Sequence, residues 1–375
     1  MSKKVLYFIN QPLDERNYYR FGFENWLKND YDVECWIFGN YKFNYKDYEK
    51  LKSINKLFLV FNFSFKQLFI FLLKRKLKNF YIVDYSGSFI LPLFILKILC
   101  LGGGQKVLLD VNSNPNKLNF RKHQKIYFKN LIYKIMNYCF YNLFFVYPHY
   151  VFLSGKVSKE NFKKNKKSKI FEINNLDYDE YLKLSNNIVK SDYILFLDQA
   201  YPNHPDFKRY KLSFVVNEQK YWNSIFKFLD NLSLKYKLPV KVALHPKNIK
   251  IDNKIMVKYD THLNNTAKLV KDSSLVIAHD SSSVQYAVLW QKPIIFISTD
   301  ELERSKEHFN YICNYANALN KKVVNIDKNI DFIDESFLNI DKKIYKLYEE
   351  NYIKSYDMPV SYWDKVISTL EMNKF

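Results

Sequence analysis

Glycine is scarce, with 7 in 375 residues. No G-x-G-x-x-G links a strand pattern to a helix, so the usual dinucleotide-binding fingerprint is absent. The one glycine cluster, Gly102-Gly-Gly104, reads as a loop after a helix and makes a poor phosphate cradle. Cysteine is also sparse. Cys35, Cys100, Cys139 and Cys313 stand far apart with no C-x-x-C pair, which fits reduced, mostly structural thiols in a cytosolic protein. The histidines show no H-x-x-x-H or other metal spacing, so no essential metal and no cofactor is expected. Membrane-spanning runs are missing too. Ile90–Leu101 is interrupted by Lys97 and too short to cross a bilayer, and Leu131–Leu153 holds Lys134, Asn137, Asn142, Pro148 and His149. Met1–Asn10 has too short an apolar core for a signal peptide and reads as a first strand.

Acidic residues are nearly absent from 51–150, which holds 15 Lys/Arg and 2 Asp/Glu. The net charge of +20 is therefore lopsided: residues 1–190 carry 32 basic and 15 acidic side chains, the remainder 26 and 23. Such a field suits an anionic partner, whether nucleic acid, a phospholipid surface or an acidic glycan. Lys74-Arg-Lys76, Arg121-Lys122 and Lys163–Lys169 interleave with aromatics, but no RNA-binding motif accompanies them. An anionic membrane surface presenting a lipid-linked or anionic acceptor explains the charge better, with solvated lysines as the bland alternative. Abundant Lys, Asn, Tyr and Phe match an AT-rich coding bias, so single residues of those types carry little weight.

Hydrophobic residues make up 48% of the chain, enough for two cores in a chain too long for one. Short apolar runs at Val5–Ile9, Val33–Phe38, Leu57–Phe63, Phe80–Asp84, Val107–Val111, Tyr150–Leu153 and Ile170–Ile173 end in polar or turn residues. Helical patterns such as Phe65–Lys76 and Ser88–Cys100 lie between them. Lys156–Ile170 reads as a solvated turn or helix. A second series follows a boundary near 185–192: Tyr193–Leu197, Val240–Leu244, Leu275–Ala278, Ile294–Ile297 and Val323–Ile326. Trp222, Ile225, Phe226, Leu229 and Leu232 recur at helical spacing between its first two strands. Strand alternating with helix predicts an α/β protein of two parallel-sheet domains, 1–190 and 191–355, with terminal helices over 341–354 and 361–373.

The chemistry gathers at strand ends of the second series. Ligands of open parallel sheets sit outside the carboxyl ends of the strands. Asp198 and Gln199 end the first strand, with His204 in the following loop. His245-Pro246-Lys247 ends the next, bringing an imidazole and an ammonium to one point. His279-Asp-Ser281-Ser282-Ser283 ends the third and opens a helix whose packed face is Val284, Ala287 and Val288. Asp280 or Ser281 would cap it, and its N–H groups and hydroxyls suit an anion such as a nucleotide phosphate. In the first half Asp84 and Asp110 close strands, and turn capping is the simpler reading of Asp110. Asp177-Tyr-Asp179 is formally a D-x-D, but helix-start capping explains it.

A D-Q after one strand, His-Pro after the next, then Ser-Ser before a helix resembles bacterial surface-polysaccharide glycosyltransferases of the GT-B type. The likeness is greatest to the CMP-sugar-using sialyl-, polysialyl- and Kdo transferases, and it covers residues 193–300. It implies two Rossmann-like domains facing a cleft, an acceptor side at 1–190, a donor domain at 191–355, and a last helix, 356–375, packed back on the first domain. It further implies that His245, Pro246 and Ser281–Ser283 hold the donor nucleotide, with Gln199, His204, Lys247 and His279 beside them and Asp198 or Asp110 as the catalytic carboxylate. The expected reaction moves an acidic ulosonic sugar from its CMP donor to a surface glycan at the inner face of the cytoplasmic membrane. CDP-glycerol glycerophosphotransferases carry a similar pair of motifs, and a UDP- or GDP-sugar donor or a degenerate binding protein are the other readings. The Asp/Glu-Asp/Glu-Gly base motif of the sialyltransferases is absent.

Overall fold

A computed structural model gives the fold and describes residues 3–9, 13, 15–37, 49, 51–54, 56–61, 80–86, 90–110, 113–115, 143–162, 168–185, 192–204, 215–246, 258–328, 334–357 and 359–373. Lys247, the helical pattern Phe65–Lys76 and the basic stretches Lys74–Lys76, Arg121–Lys122 and Lys163–Lys167 lie outside the described residues.

Two parallel sheets carry the molecule. The first has β1 (Lys3–Ile9), β2 (Tyr31–Ile37), β3 (Leu57–Phe61), β4 (Phe80–Tyr85), β5 (Gly104–Leu109), β6 (Tyr150–Ser154) and β7 (Lys169–Ile173), in the order β3-β2-β1-β4-β5-β6-β7. The second has β8 (Ile194–Leu197), β9 (Val240–Leu244), β10 (Asp260–Leu263), β11 (Leu275–Ala278), β12 (Ile294–Ser298) and β13 (Val323–Asn325), in the order β10-β9-β8-β11-β12-β13. Strand order reverses between β1 and β4 in one sheet and between β8 and β11 in the other. Each reversal opens a crevice at the carboxyl ends of its strands.

Burial on both faces explains the continuous apolar strands. In β1, Val5, Tyr7 and Ile9 enter one core while Leu6 and Phe8 enter the opposite one. In β8, Ile194 and Phe196 face the helix Glu218–Tyr236, and Leu195 and Leu197 face the other side. That helix is capped by Asn217, whose side chain accepts from the Lys220 N–H, and it buries Trp222, Ile225, Leu229 and Leu232; Phe226 stays partly exposed. The edge strand β10 gave no apolar signal. Its Asp-Thr-His-Leu is largely solvated, and Asp260 pairs with Lys241 at 2.9 Å. Such charges keep an edge from pairing with another chain.

The chain changes cores at Asn174–Asn175, earlier than the composition change near 185–192, because the helix Leu176–Leu184 packs Tyr178 and Leu182 on the second sheet. It returns after Ile353. The last helix, Tyr362–Met372, lays Trp363, Val366, Ile367 and Leu370 into the core of the first sheet. Tyr81 donates to the Leu370 carbonyl at 3.0 Å, and Gly22, at φ 66°, leaves room for the Trp363 ring that any Cβ would overlap. The two crossings are laced together. The Asn175 N–H donates to the Ile353 carbonyl at 2.9 Å, and the Ser355 N–H to Asn174 Oδ1 at 3.0 Å. Among the described residues no helix is long and apolar enough to cross a membrane.

Candidate functional site

A cleft of about 800 Å³ lies between the carboxyl edge of the second sheet and the helices that follow β1. Asp198, Gln199, His245, Pro246 and Ser281–Ser283 line it from the second sheet, whereas Arg16, Tyr19 and Arg20 line it from the helices after β1. Asp177 and Asp179, in the first turn of Leu176–Leu184, stand between the two walls.

Alternation along each strand decides which strand-end side chain reaches the cleft. Asp198 continues the Ile194–Phe196 face and is 3% exposed. Its Oδ1 accepts the Ala200 N–H at 2.8 Å and its Oδ2 accepts the His245 N–H at 3.2 Å. The carboxylate thus ties the ends of β8 and β9 together and fixes where His245 begins. His245 is on the opposite face, and its ring lies 4.8 Å from that of His204. His204 itself does not line the cleft.

His279 does not reach the cleft, contrary to the sequence expectation. It follows Leu275 and Ile277 on the face toward the helix Glu218–Tyr236 and is completely buried. Nδ1 lies 2.8 Å from the Ile297 carbonyl, which can only accept, so Nδ1 carries the proton and Nε2 accepts from Tyr221 Oη at 2.9 Å. Burial lowers its pKa to about 4, so the ring is neutral at physiological pH with both nitrogens engaged. It anchors a strand end and has no nitrogen left for a donor.

The serine loop is better placed. Tyr201 donates to Asp280 at 2.6 Å, which fastens this loop to the one after β8. Ser281 is buried and accepts the Ser283 N–H at 3.3 Å. Among the described residues, the hydroxyls of Ser282 and Ser283 have no protein partner. The helix that follows, Val284–Leu289, buries Val284, Ala287 and Val288 as expected, but at six residues it adds little dipole. Hydroxyls and backbone N–H groups remain as the means of holding an anion.

Asp110 sits outside the cleft lining. It accepts from Ser158 Oγ and from Ser154 Oγ at 3.3 Å, and burial raises its pKa. It ties the end of β5 to the end of β6 and to the helix Gly155–Asn161 that follows. Asp84 pairs with Lys106 at 3.4 Å. The Asp177-Tyr-Asp179 pair does more than start a helix. Asp179 accepts the Tyr362 N–H through both oxygens, at 2.7 and 2.9 Å, and burial raises its pKa to about 7. Asp177 accepts from Tyr286 Oη at 3.1 Å; burial raises its pKa to about 6 against the opposing pull of Arg20. The two carboxylates point to different partners, and among the described residues no group of three or more His, Cys, Asp or Glu side chains is gathered as a metal site would require. Arg16 and Arg20 carried no motif. Their one signal was position, just after the strand at which the first sheet reverses.

No protein-family model matches the chain, and no curated protein sequence does. Solved structures do. The wall teichoic acid polymerase TagF superposes with a TM-score of 0.58 at 13% identity, over 99% of this chain and 89% of TagF. The UDP-GlcNAc 2-epimerase of Methanocaldococcus jannaschii gives 0.51 at 12% identity, over 99% and 100%. The S. aureus MnaA–UDP complex gives 0.51 at 14%, over 98% and 96%. At these identities the likeness concerns the fold: an α/β protein of two Rossmann-like domains, GT-B in type.

Proposed function

We propose that the chain is a transferase that takes a group from a cytidine-nucleotide donor and adds it to a bacterial surface glycan, an acidic ulosonic sugar from its CMP form being the first choice. One observation carries this reading: the reversal point of the second sheet and the helix that follows β1 line one cleft, with His245 and the hydroxyls of Ser282 and Ser283, unpartnered among the described residues, on one wall and Arg16 and Arg20 on the other. His245 and the serines would hold the donor phosphate and stabilise the departing nucleotide, because preorganised donors act most strongly where charge develops. Lys247, next after Pro246, would add a cation.

The acceptor hydroxyl needs a base whose pKa lies near the working pH. Asp177, in the cleft and raised to about 6, suits that task better than Asp198 or Asp110. Asp198 would instead position His245, since both its oxygens already accept backbone N–H groups.

A CDP-glycerol donor is the second reading. It is favoured by the likeness to TagF, which includes a form soaked with CDPG, at a TM-score of 0.56 and 13% identity. The basic stretch 51–150 supports an anionic membrane surface as the place of work, on the cytoplasmic side. The deciding experiment offers the purified protein CMP-sialic acid, CMP-Kdo, CDP-glycerol, UDP-GlcNAc and a GDP-sugar, and measures nucleotide release with and without a glycan acceptor. Release from a cytidine donor supports the proposal. Release from UDP- or GDP-sugars alone removes the cytidine assignment, and binding without release from any donor marks a degenerate site.

A further inference from the structure

The helix that follows the serine loop carries a side chain the proposed chemistry leaves unused. Gln285 is completely buried, between Val284 and Tyr286. Its Nε2 donates to the Ser113 carbonyl at 2.7 Å, in the loop after β5, and lies 3.4 Å from Asn114 Oδ1. Its Oε1 accepts from Asn175 Nδ2. Asn175 caps the helix Leu176–Leu184 at the first crossing, and its own N–H reaches Ile353 at the second. One amide therefore joins the first domain, both crossings and the helix of the serine loop. A buried amide is costly unless both ends are bonded, and these bonds exist at only one placement of the first domain against the second. Ala287 and Val288, on the same helix, show that the neighbouring interior takes plain apolar side chains.

We propose that Gln285 is a positioning residue. It sets the carboxyl edge of the first sheet against Ser281–Ser283, so that groups from the two walls meet at the reacting centre. The inference rests on the transferase reading for its kinetic consequence, though not for its structural one.

Gln285→Glu isolates the interdomain bond. The introduced carboxylate still accepts from Asn175, but when ionised it has no hydrogen to give Ser113 and repels that carbonyl; when protonated it can donate again. At pH 8 kcat should fall about ten-fold, the worth of one net hydrogen bond, with the donor KM changed less than about three-fold. The loss should shrink toward pH 5.5, relative to wild type at the same pH. Gln285→Leu, which cannot donate at any pH, should lose kcat with no such recovery. Should it fail to fold, Gln285→Asn, an amide on a shorter arm, takes its place. X-ray scattering of Gln285→Glu should show a larger radius of gyration at pH 8 than at pH 5.5, with wild type unchanged. A wild-type kcat and pH profile in Gln285→Glu overturns the proposal. So does a parallel loss of kcat, donor affinity and melting temperature at every pH, which marks mere structural support. If the wild-type protein releases nucleotide from no donor, the transferase reading fails, and scattering alone then decides for or against the latch.

Discussion

The two walls of the cleft are built in opposite ways. On the second sheet the lining comes from four loops, each directly after its own strand, and bonds within that one domain hold them: Asp198 to Ala200 and His245, Tyr201 to Asp280, His279 to Tyr221. On the first sheet the lining comes from distant parts of the chain. Arg16 and Arg20 follow β1 and Trp363 arrives on the last helix, while Asp177 and Asp179 stand between the two walls on a helix packed against the second core. The second wall is held within one domain, which on the proposed reading suits it to the nucleotide phosphate common to every turnover. The first depends on pieces docked from distant parts of the chain.

If that division is right, the largest effect belongs to the carboxylate between the walls. Asp177→Asn should cut kcat about 10²- to 10⁴-fold, the range for a general base, and leave nucleotide affinity within a few-fold. In the wild type the rate should climb with pH through about 6 and then level, because the base must be ionised. A flat profile from pH 5 to 8 would assign the base elsewhere, and an unaffected Asp177→Asn beside a dead Asp198→Asn would return the role to Asp198.

His245→Ala tests the second wall. Loss of one preorganised donor should cost about 100- to 1,000-fold in transfer and weaken nucleotide binding, with an unchanged circular dichroism spectrum. Full activity would move the phosphate away from the end of β9.

Gly22→Ala tests the docking that builds the first wall. The new Cβ meets the Trp363 ring at a positive φ, so about 2–4 kcal/mol should be lost from strain and overpacking together, read as a lower urea midpoint. An unchanged midpoint would show that the last helix contributes little to holding that wall.

A further effect is electrostatic. Asp179 has its folded pKa raised by burial, to about 7, so the folded state holds a proton the unfolded chain releases at lower pH. Stability from this group is present below about pH 4 and declines as pH rises to about 7. Asp179→Asn keeps an oxygen for the Tyr362 N–H and removes the titration, so its melting temperature should gain on wild type across that window. A constant difference from pH 4 to 7 would rule the linkage out.

The same contrast governs what could be read from the sequence. Twelve of the strands were legible because each holds an apolar run, most of them buried on both faces; β10 was not, since an edge strand of Asp-Thr-His-Leu has no such run. The serine loop and His245 were legible because each stands directly after an apolar strand, with its polar neighbours adjacent in sequence. His279 misled because type and position suggested a ligand while side-chain direction was ignored. Extending the alternation of Leu275 and Ile277 by two residues turns it toward Tyr221, a signal the sequence did contain. Nothing local ties Arg20 to Asp177, or Gln285 to Ser113, which are 157 and 172 residues apart. Those interactions exist only once two cores have formed and docked.

The central claim is that the second wall alone holds a cytidine nucleotide. Isothermal titration of CMP and CDP into the wild type, the Ser282→Ala/Ser283→Ala double variant and Arg20→Ala tests it directly. Both nucleotides should bind the wild type and Arg20→Ala with affinities within about three-fold, and the serine variant at least about ten-fold more weakly, as the loss of one or two hydrogen bonds to a charged group requires. No binding at millimolar nucleotide, or binding that the serine variant keeps and Arg20→Ala loses, would contradict it.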